Sequence, residues 1–427
     1  MIKNDEKYLA YINILKKELL VALGCTEPIS IAYCAATAKK VLNNLPNRCE
    51  IEICGNMIKN SKSVVVPNTN GLKGINVAII AGLLSNNEDK LQVLSSLTEE
   101  NKKQISDLLK KIPIKVICSK SEKKLYMNLI IFDELNNVSV TISDSHTNIV
   151  SIKKNNEEIF TSNCYNEVNE LNYEYSLLDV KSIVEFADIV DLNCISAELE
   201  QQINYNYEIA NVGLQNNCGA NIGKVLLNSY GNDIKIRAQA LAAAASDARM
   251  SGLENPVVII SGSGNQGITA SVPVIEYAKE LNSSHEQLLR ALIISDLVTI
   301  HQKTGIGKLS AFCGAVCAGC GAASGIAYLK GGSYEVIAHT IVNTLGITSG
   351  LVCDGAKPSC AAKIATSIYG GILGYNMYIN GQEFLDGDGI ILKGVDNTIK
   401  NVGRLAREGM KETDEEILKM MTEKKES

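Results

Sequence analysis

No stretch of this chain stays apolar long enough to cross a bilayer. The N-terminal run MIKNDEKYLAYINILKKELL mixes Lys, Asp and Glu among its apolar residues, which argues against a signal peptide or a membrane span there. Farther on, Asp247, Lys308, Asp354 and Lys357 interrupt the apolar segments, so these read as buried helices packed on one another. Clustered positive charge is missing too: 41 Lys and Arg against 47 Asp and Glu leave a formal net charge of −6, with the cations scattered singly. That removes the footprint of a nucleic-acid or anionic-membrane binder and points to a small-molecule partner in the cytoplasm. There is no fixed-period repeat, and low complexity is confined to the charged tail EKKES. Histidine is scarce: His285 and His301 fall at expected helical breaks and His339 on an amphipathic helix, and all three read as surface or satisfied residues.

Cysteine, by contrast, occurs 13 times. A reducing cytosol excludes a disulfide framework, so most of these thiols are expected to be buried small hydrophobes and the exceptions to be ligands or catalysts.

The length of 427 residues suits two domains. Leu9, Ile12, Leu15 and Leu19 recur at helical spacing ahead of Gly24, which predicts a helix over residues 5–23. Thr26 is the predicted N-cap of a second helix with Pro28 in its first turn, leaving Cys25 in the elbow between them. From Arg48 to Ser162 the runs IEI, SVVVP, IPIKVI, LYMNLIIF, VSVTI and NIVSI are β-rich, and Asn136-Asn137 and Asn155-Asn156 suit hairpin turns. INVAIIAGLL and the segment Glu99 to Lys111 add helices to that sheet. After residue 175, Ala, Gly, Leu and Ile recur at helical spacing. The predicted class is α+β. Residues 1–45 form N-terminal helices packing on a helical domain, a mixed α/β-sheet domain (46–175) is inserted after them, and a larger all-helical catalytic domain spans 176–427.

Several segments can carry chemistry. Cys313, Cys353 and Cys360 stand in Gly/Ala/Ser-rich surroundings, and the loop CDGAKPSC running into a helix can offer thiolates and backbone N–H groups together. Three cysteines would leave one iron of a cluster open; buried structural cysteines are the alternative. Cys313, Cys317 and Cys320 also spell CxxxCxxC, the pattern of radical S-adenosylmethionine enzymes, but here on a small-residue helix deep in a helical domain. The segment Ser261 to Thr269, SGSGNQGIT, precedes a helix and can cradle a carboxylate with its N–H groups, or be a plain interhelical turn; it follows no clear nucleotide-fold strand and has no Walker lysine. Cys25, in GCTEP at a helix start, is placed where unpaired N–H groups favour a thiolate, or where a small residue merely fits.

Together, ALGCTEPIS (Ala22 to Ser30), Asn56, Lys59 and Asn60, HTNIV (His146 to Val150), ASDARM (Ala245 to Met250), SGSGNQGITA, LSAFC and CDGAKPSCAAK resemble, nearly end to end, the L-cysteine desulfidase family, relatives of the iron-sulfur L-serine dehydratases. The resemblance implies a [4Fe-4S] cluster on Cys313, Cys353 and Cys360, Cys25 as the fourth functional cysteine, and no pyridoxal phosphate (PLP). Cys317 and Cys320 fall outside the pattern. One segment departs from it: SKSVVVPNT, Ser61 to Thr69, stands where relatives carry a Gly-rich GxGVxxPGT run, a loss of flexibility that could reshape a pocket or lid.

The implied activity is a carbon–sulfur lyase, cysteine plus water giving pyruvate, ammonia and sulfide. Cys25 is the first choice of base and His146 the second; Ser261, Ser263, Gly264, Asn265 and Gln266 hold the substrate carboxylate; Asn56, Lys59, Asn60, Asp247, Arg249 and Asp354 are candidates for orienting the substrate. L-cysteine is the expected partner, with a homodimer left open. The competing readings are an iron-sulfur L-serine dehydratase, an electron-transfer or cluster-sensing protein, and a cluster-free binding protein on the same fold.

Overall fold

In the computed structural model, residues 1–86, 89–121, 123–162, 173–307 and 309–422 are described; Cys164, Lys308 and the EKKES tail fall outside them. Helix α1 (Glu6–Glu18) begins at Asp5, whose carboxylate accepts the Tyr8 N–H at 2.8 Å. Its buried face is Tyr8, Tyr11, Ile12 and Leu15, while Leu9 of the predicted stripe is exposed. The helix also ends five residues earlier than predicted, because Leu20–Leu23 leave it as strand β1.

Helix α2 (Thr26–Leu42) follows, then β2 (Arg48–Ile53), α3 (Gly55–Ser61), α4 (Ile75–Leu84) and α5 (Glu99–Lys111). Strands β3 (Ile114–Cys118), β4 (Tyr126–Phe132), β5 (Asn137–Ser143), β6 (Ile149–Lys154) and β7 (Glu157–Thr161) complete a six-stranded sheet of order β3-β2-β4-β5-β6-β7. Only β2 and β3 run parallel. Alternate residues Met127, Leu129 and Ile131 of β4 and Val138, Val140 and Ile142 of β5 are buried on one face, as period-two patterning requires. Helix α2 packs across that face and α4 packs on α2, so the second helix lies with the sheet, whereas α1 lies against the later helices. The Asn155-Asn156 turn forms as read, both residues taking positive φ. SVVVP, however, is a buried loop with a single bridge, Val65 to Lys73, and no strand.

The remaining chain is largely helical: α6 (Val180–Ile189), α7 (Ser196–Gln215), α8 (Ile222–Tyr230) and α9 (Ile234–Met250) precede a short strand, β8 (Pro256–Ile259). Then come α10 (Gly264–Glu280), α11 (His285–Ile306), α12 (Gly314–Leu329), α13 (Tyr334–Thr348), α14 (Ser359–Ile379), α15 (Val395–Arg404) and α16 (Lys411–Thr422). The class is the expected mixture of a sheet with helices and a large helical region. Strand β8 interrupts the stretch predicted to be wholly helical, and it pairs antiparallel with β1, Leu20 opposite Ile259. Helix α12 is buried among α10, α11, α13 and α14, and its small residues allow the approach. A Cβ at Gly319 would lie 2.7 Å from the Ser367 backbone. His301 sits inside α11, not at a break; its Nε2 pairs with Asp396 at 2.8 Å, and its Nδ1 is buried without a hydrogen-bond partner among the described residues. No helix among the described residues is long and apolar enough to cross a membrane.

Candidate functional site

Four segments distant in sequence close around one cavity of about 110 Å³. The first is the start of α2. Gly24 turns the chain out of β1 at φ 68°, where a side chain would strike Pro67, and Cys25 is the N-cap of α2. Thr26, predicted as that cap, is instead the first helical residue, and its hydroxyl faces the Gly262 carbonyl at 2.9 Å. The second segment is the turn from β8 into α10, where Ser261 and Gly262 take positive φ and Ser263 caps the helix by accepting the Gln266 N–H. The strand before it, β8, is four residues paired antiparallel with β1, not the strand of a nucleotide fold, and it was missed because so short a run carries no period.

The other two segments bring the cysteines together. An isolated bridge pairs Phe312 with Val352, Cys313 N–H donates to Leu351 at 3.0 Å, and Cys353 N–H donates to Ala311 at 2.6 Å. Two cysteines 40 residues apart thereby become neighbours. Cys313 is also the N-cap of α12, and Cys360 lies in the first turn of α14. All three line the cavity with Cys25. Burial, then the neighbouring Cys353 thiol, pushes Cys313 up to about 12, although the Ala315 N–H pulls the other way. Cys360 is raised by burial against the Lys357 N–H. Among the described residues, no three of His, Cys, Asp and Glu are close enough to hold a single ion. Thiolates spread around a small cavity, with N–H groups directed at their sulfurs, suit a polynuclear cluster better than one ion. Such a group would also ionise thiols that burial otherwise keeps protonated.

Cys25 does not behave as the helix-terminus argument expects. It is 3% exposed, packed on Val64, Met250 and Ala356, and its Sγ donates to Glu27 Oε2 at 3.4 Å. Burial and then the Glu27 charge raise its pKa far above the ordinary thiol value, against the pull of Arg249, so its surroundings oppose the thiolate that a helix start favours. Glu27, overlooked in the sequence because acidic residues are common in a first helical turn, is buried on the cavity wall. Burial would raise its carboxyl, but His146 and the Asn60 amide hold it down at about 2. Asn60 Nδ2 donates to its Oε1 at 2.9 Å. His146 Nε2 stands 3.7 Å from the same oxygen, near enough for an ion pair and too far for a hydrogen bond, and has no hydrogen-bond partner among the described residues. His146 thus lies behind Glu27, outside the cavity lining.

Arg249 lines the cavity and donates to Asn265 Oδ1 at 3.0 Å, while its Nε and the Gln266 Oε1 are buried without hydrogen-bond partners among the described residues. Gly264 lets Arg249 lie against α10, since a Cβ there would be 2.4 Å from Nε. Lys303 of α11, a second cavity cation not foreseen, donates to Gly307 O at 2.7 Å; burial lowers it and the surrounding cysteines raise it.

Several predicted substrate residues are elsewhere. Asp247 accepts the N–H groups of Ala220 and Ile222 and so holds the start of α8. Asp354, itself outside the cavity lining, is tied to Lys357 and Lys363 and so staples the CDGAKPSC loop. Asn56 lines a different cavity of about 580 Å³. Lys59 is buried between Asp414 Oδ1 at 2.5 Å and the Cys353 carbonyl at 3.3 Å, so it supports the cysteine loop from below. Cys317 and Cys320 are wholly buried in α12 and do not line the cavity. The SKSVVVPNT segment forms a buried wall: Val64 touches Cys25, and Asn68 adopts φ 59° with its amide donating to Leu94 O at 2.9 Å. Asparagine tolerates that left-handed conformation, so the missing glycine is accommodated.

Residues 88–419 match the family model described as serine dehydratase alpha chain. A UPF0597 protein of Desulfitobacterium hafniense is 54% identical over 99% of this chain and 98% of its own. UPF0597 proteins of Lachnoclostridium phytofermentans and Fusobacterium nucleatum are 48% and 44% identical, each covering at least 97% of this chain and 99% of their own. The chain belongs to the serine dehydratase alpha-chain family, together with these UPF0597 proteins.

Proposed function

We propose that the protein is an L-cysteine desulfidase, a carbon–sulfur lyase that eliminates hydrosulfide from cysteine at a [4Fe-4S] cluster held by Cys313, Cys353 and Cys360 without PLP. The observation that carries this reading is the convergence of these three cysteines and Cys25 on one cavity that also presents Arg249 and Glu27. When bound, the cluster supplies a Lewis-acidic iron with a position open to the substrate sulfur. The chain's own groups do the rest. Arg249 Nε and the turn from Gly262 to Gln266 receive the α-carboxylate, a cation and backbone donors fixed before substrate arrives. Cys25 is the proposed base for the α-proton, acting from its thiolate form with Arg249 as the neighbouring cation; Glu27, held low despite its burial by His146 and Asn60, is too weak a base to take the thiol proton and stays ionised. The buried walls exclude water until the product aminoacrylate leaves to hydrolyse to pyruvate and ammonia.

Elimination of water from L-serine at the same cavity is the second reading, favoured by the matching family model. A purely electron-transferring or sensing role is disfavoured by the opposite charges, Arg249 and Glu27, on the wall of the cavity that the cysteines line. The deciding experiment is anaerobic reconstitution with iron and sulfide, followed by measurement of sulfide and pyruvate from L-cysteine and from L-serine. Sulfide release that disappears with the cluster in Cys353→Ala supports the desulfidase. Pyruvate from serine alone moves the activity to dehydration, and no turnover of either refutes both.

A further inference from the structure

We propose that Glu27 is the receptor for the substrate's α-ammonium group, so that with Arg249 it makes the cavity selective for a zwitterionic α-amino acid over an acid lacking the amine. This rests on the amino-acid lyase reading and assigns a role to a residue that the reading itself does not require to bind substrate.

The argument begins with hydrogen counting. An ionised carboxylate accepts about four hydrogen bonds. Glu27 is 6% exposed, and its one firm donor is Asn60 at 2.9 Å. Thr26 Oγ1 is 3.1 Å from Glu27 Oε2 but also 2.9 Å from the Gly262 carbonyl oxygen. A hydroxyl has one hydrogen, and both neighbours accept, so only one of these contacts is a hydrogen bond. The remaining donor, Cys25 Sγ at 3.4 Å, is a weak one. His146 is too distant to donate. Despite burial, the nearby His146, Asn60 and the Glu27 backbone N–H keep this carboxylate ionised, and its remaining acceptor capacity, on the cavity wall, is what a ligand cation can complete.

On the cavity wall, no side chain among the described residues supplies such a cation; His146 stands 3.7 Å from Oε1 behind the wall. Arg249 and Lys303 line the same cavity, yet neither pairs with Glu27 among the described residues: Arg249 turns to Asn265 and Lys303 to the Gly307 carbonyl. Glu27 is also the only acidic residue on the cavity wall among the described residues. Two opposite charges that share a small cavity and leave each other unpaired fit a ligand carrying both of the complementary charges. An α-ammonium brings three N–H donors to Glu27, and an α-carboxylate meets Arg249 Nε, itself buried and unpartnered.

The test is binding of L-alanine and of propanoate to the reconstituted holoprotein by calorimetry, in wild type, Glu27→Gln and Glu27→Asp, with cysteine and serine turnover followed on the same samples. The two probes differ only in the amine and neither can be eliminated. Wild type is expected to prefer L-alanine by about thirtyfold or more, the scale of one buried charge partner. Glu27→Gln keeps the shape and the Asn60 contact, and should bring the ratio near one with propanoate affinity unchanged; Glu27→Asp should restore part of it. A purely structural role would weaken both probes together and leave the ratio intact, which overturns the proposal. If Glu27→Gln does not fold, the wild-type ratio still decides, and a value near one overturns it. Equal binding with cysteine turnover intact sinks the ammonium site and spares the lyase reading. A strong preference, lost in Glu27→Gln, without turnover of either amino acid supports the site and sinks that reading.

Discussion

Gly267→Ala tests whether the substrate turn is held by backbone packing. A Cβ at this position would lie 1.9 Å from the Val258 carbonyl oxygen and 3.0 Å from the Val258 carbonyl carbon. Ordinary non-bonded contacts between heavy atoms are about 3.5 Å, so something must retreat by about 1.5 Å. Strand β8 cannot readily do so, because Val258 N–H donates to Asn206 Oδ1 at 2.8 Å, its carbonyl accepts Asn206 Nδ2 at 3.1 Å, and it is paired with Val21. The start of α10 must move instead, carrying Asn265 and Gln266 out of the cavity wall. Overpacking against backbone costs up to about 3 kcal/mol, and the helical preference of alanine over glycine returns about 1, leaving a loss of about 2 kcal/mol. Displacement of this size costs catalysis about a hundredfold. Urea unfolding measures the first figure and kcat/KM for sulfide release the second. Gly350→Ala, whose Cβ would have nothing within 4 Å, is the control and should stay within about 0.5 kcal/mol of wild type. A Gly267→Ala protein with the wild-type urea midpoint and full turnover would refute the packing argument.

Asp296 is fully buried, and burial raises its carboxyl to about 8 despite the hydrogen bond from Gln202. Its folded value exceeds the unfolded one, so stability should fall as pH rises from about 4 to about 8, by at most about 1.4 kcal/mol per pH unit, and then level off. Asp296→Asn should flatten that profile in urea titrations; superimposable curves would refute the assignment. Cys317→Ala and Cys320→Ala should keep the visible absorbance of the reconstituted cluster and lose only stability, about 1–2 kcal/mol for a small buried side chain, whereas Cys353→Ala should lose the absorbance. Loss of absorbance in Cys317→Ala or Cys320→Ala would reinstate the CxxxCxxC reading. Lys59→Met should cost about 1.5–3 kcal/mol, since Asp414 and the Cys353 carbonyl both lose a charged donor; an unchanged urea midpoint would show that the buried lysine does not support the loop.

The elements legible in the sequence were those set by local periodicity and capping. Alternation in β4 and β5, the Asn155-Asn156 turn, the run INVAIIAGLL as α4 and the small-residue helix α12 all follow from residues within a few positions of one another. The words around Cys25, Ser261 to Thr269, Cys313 and Cys353 to Cys360 also marked the segments that meet at the cavity. Tertiary structure decided what depends on distant partners. Residues Leu20–Leu23 continue a helical pattern, and only pairing with β8 makes them a strand. The Phe312–Val352 bridge brings Cys313 beside Cys353, and no spacing rule contains it. Asp247 and Asp354 resemble site carboxylates until their partners, the α8 amides and two lysines, are seen to occupy them. Glu27 reads as an ordinary first-turn acid, and its isolation in a buried wall appears only when the neighbours from four segments are in place. The division has one physical cause: a side chain's conformational preference belongs to its own stretch of chain, whereas its charge, protonation and reach depend on what the fold packs around it.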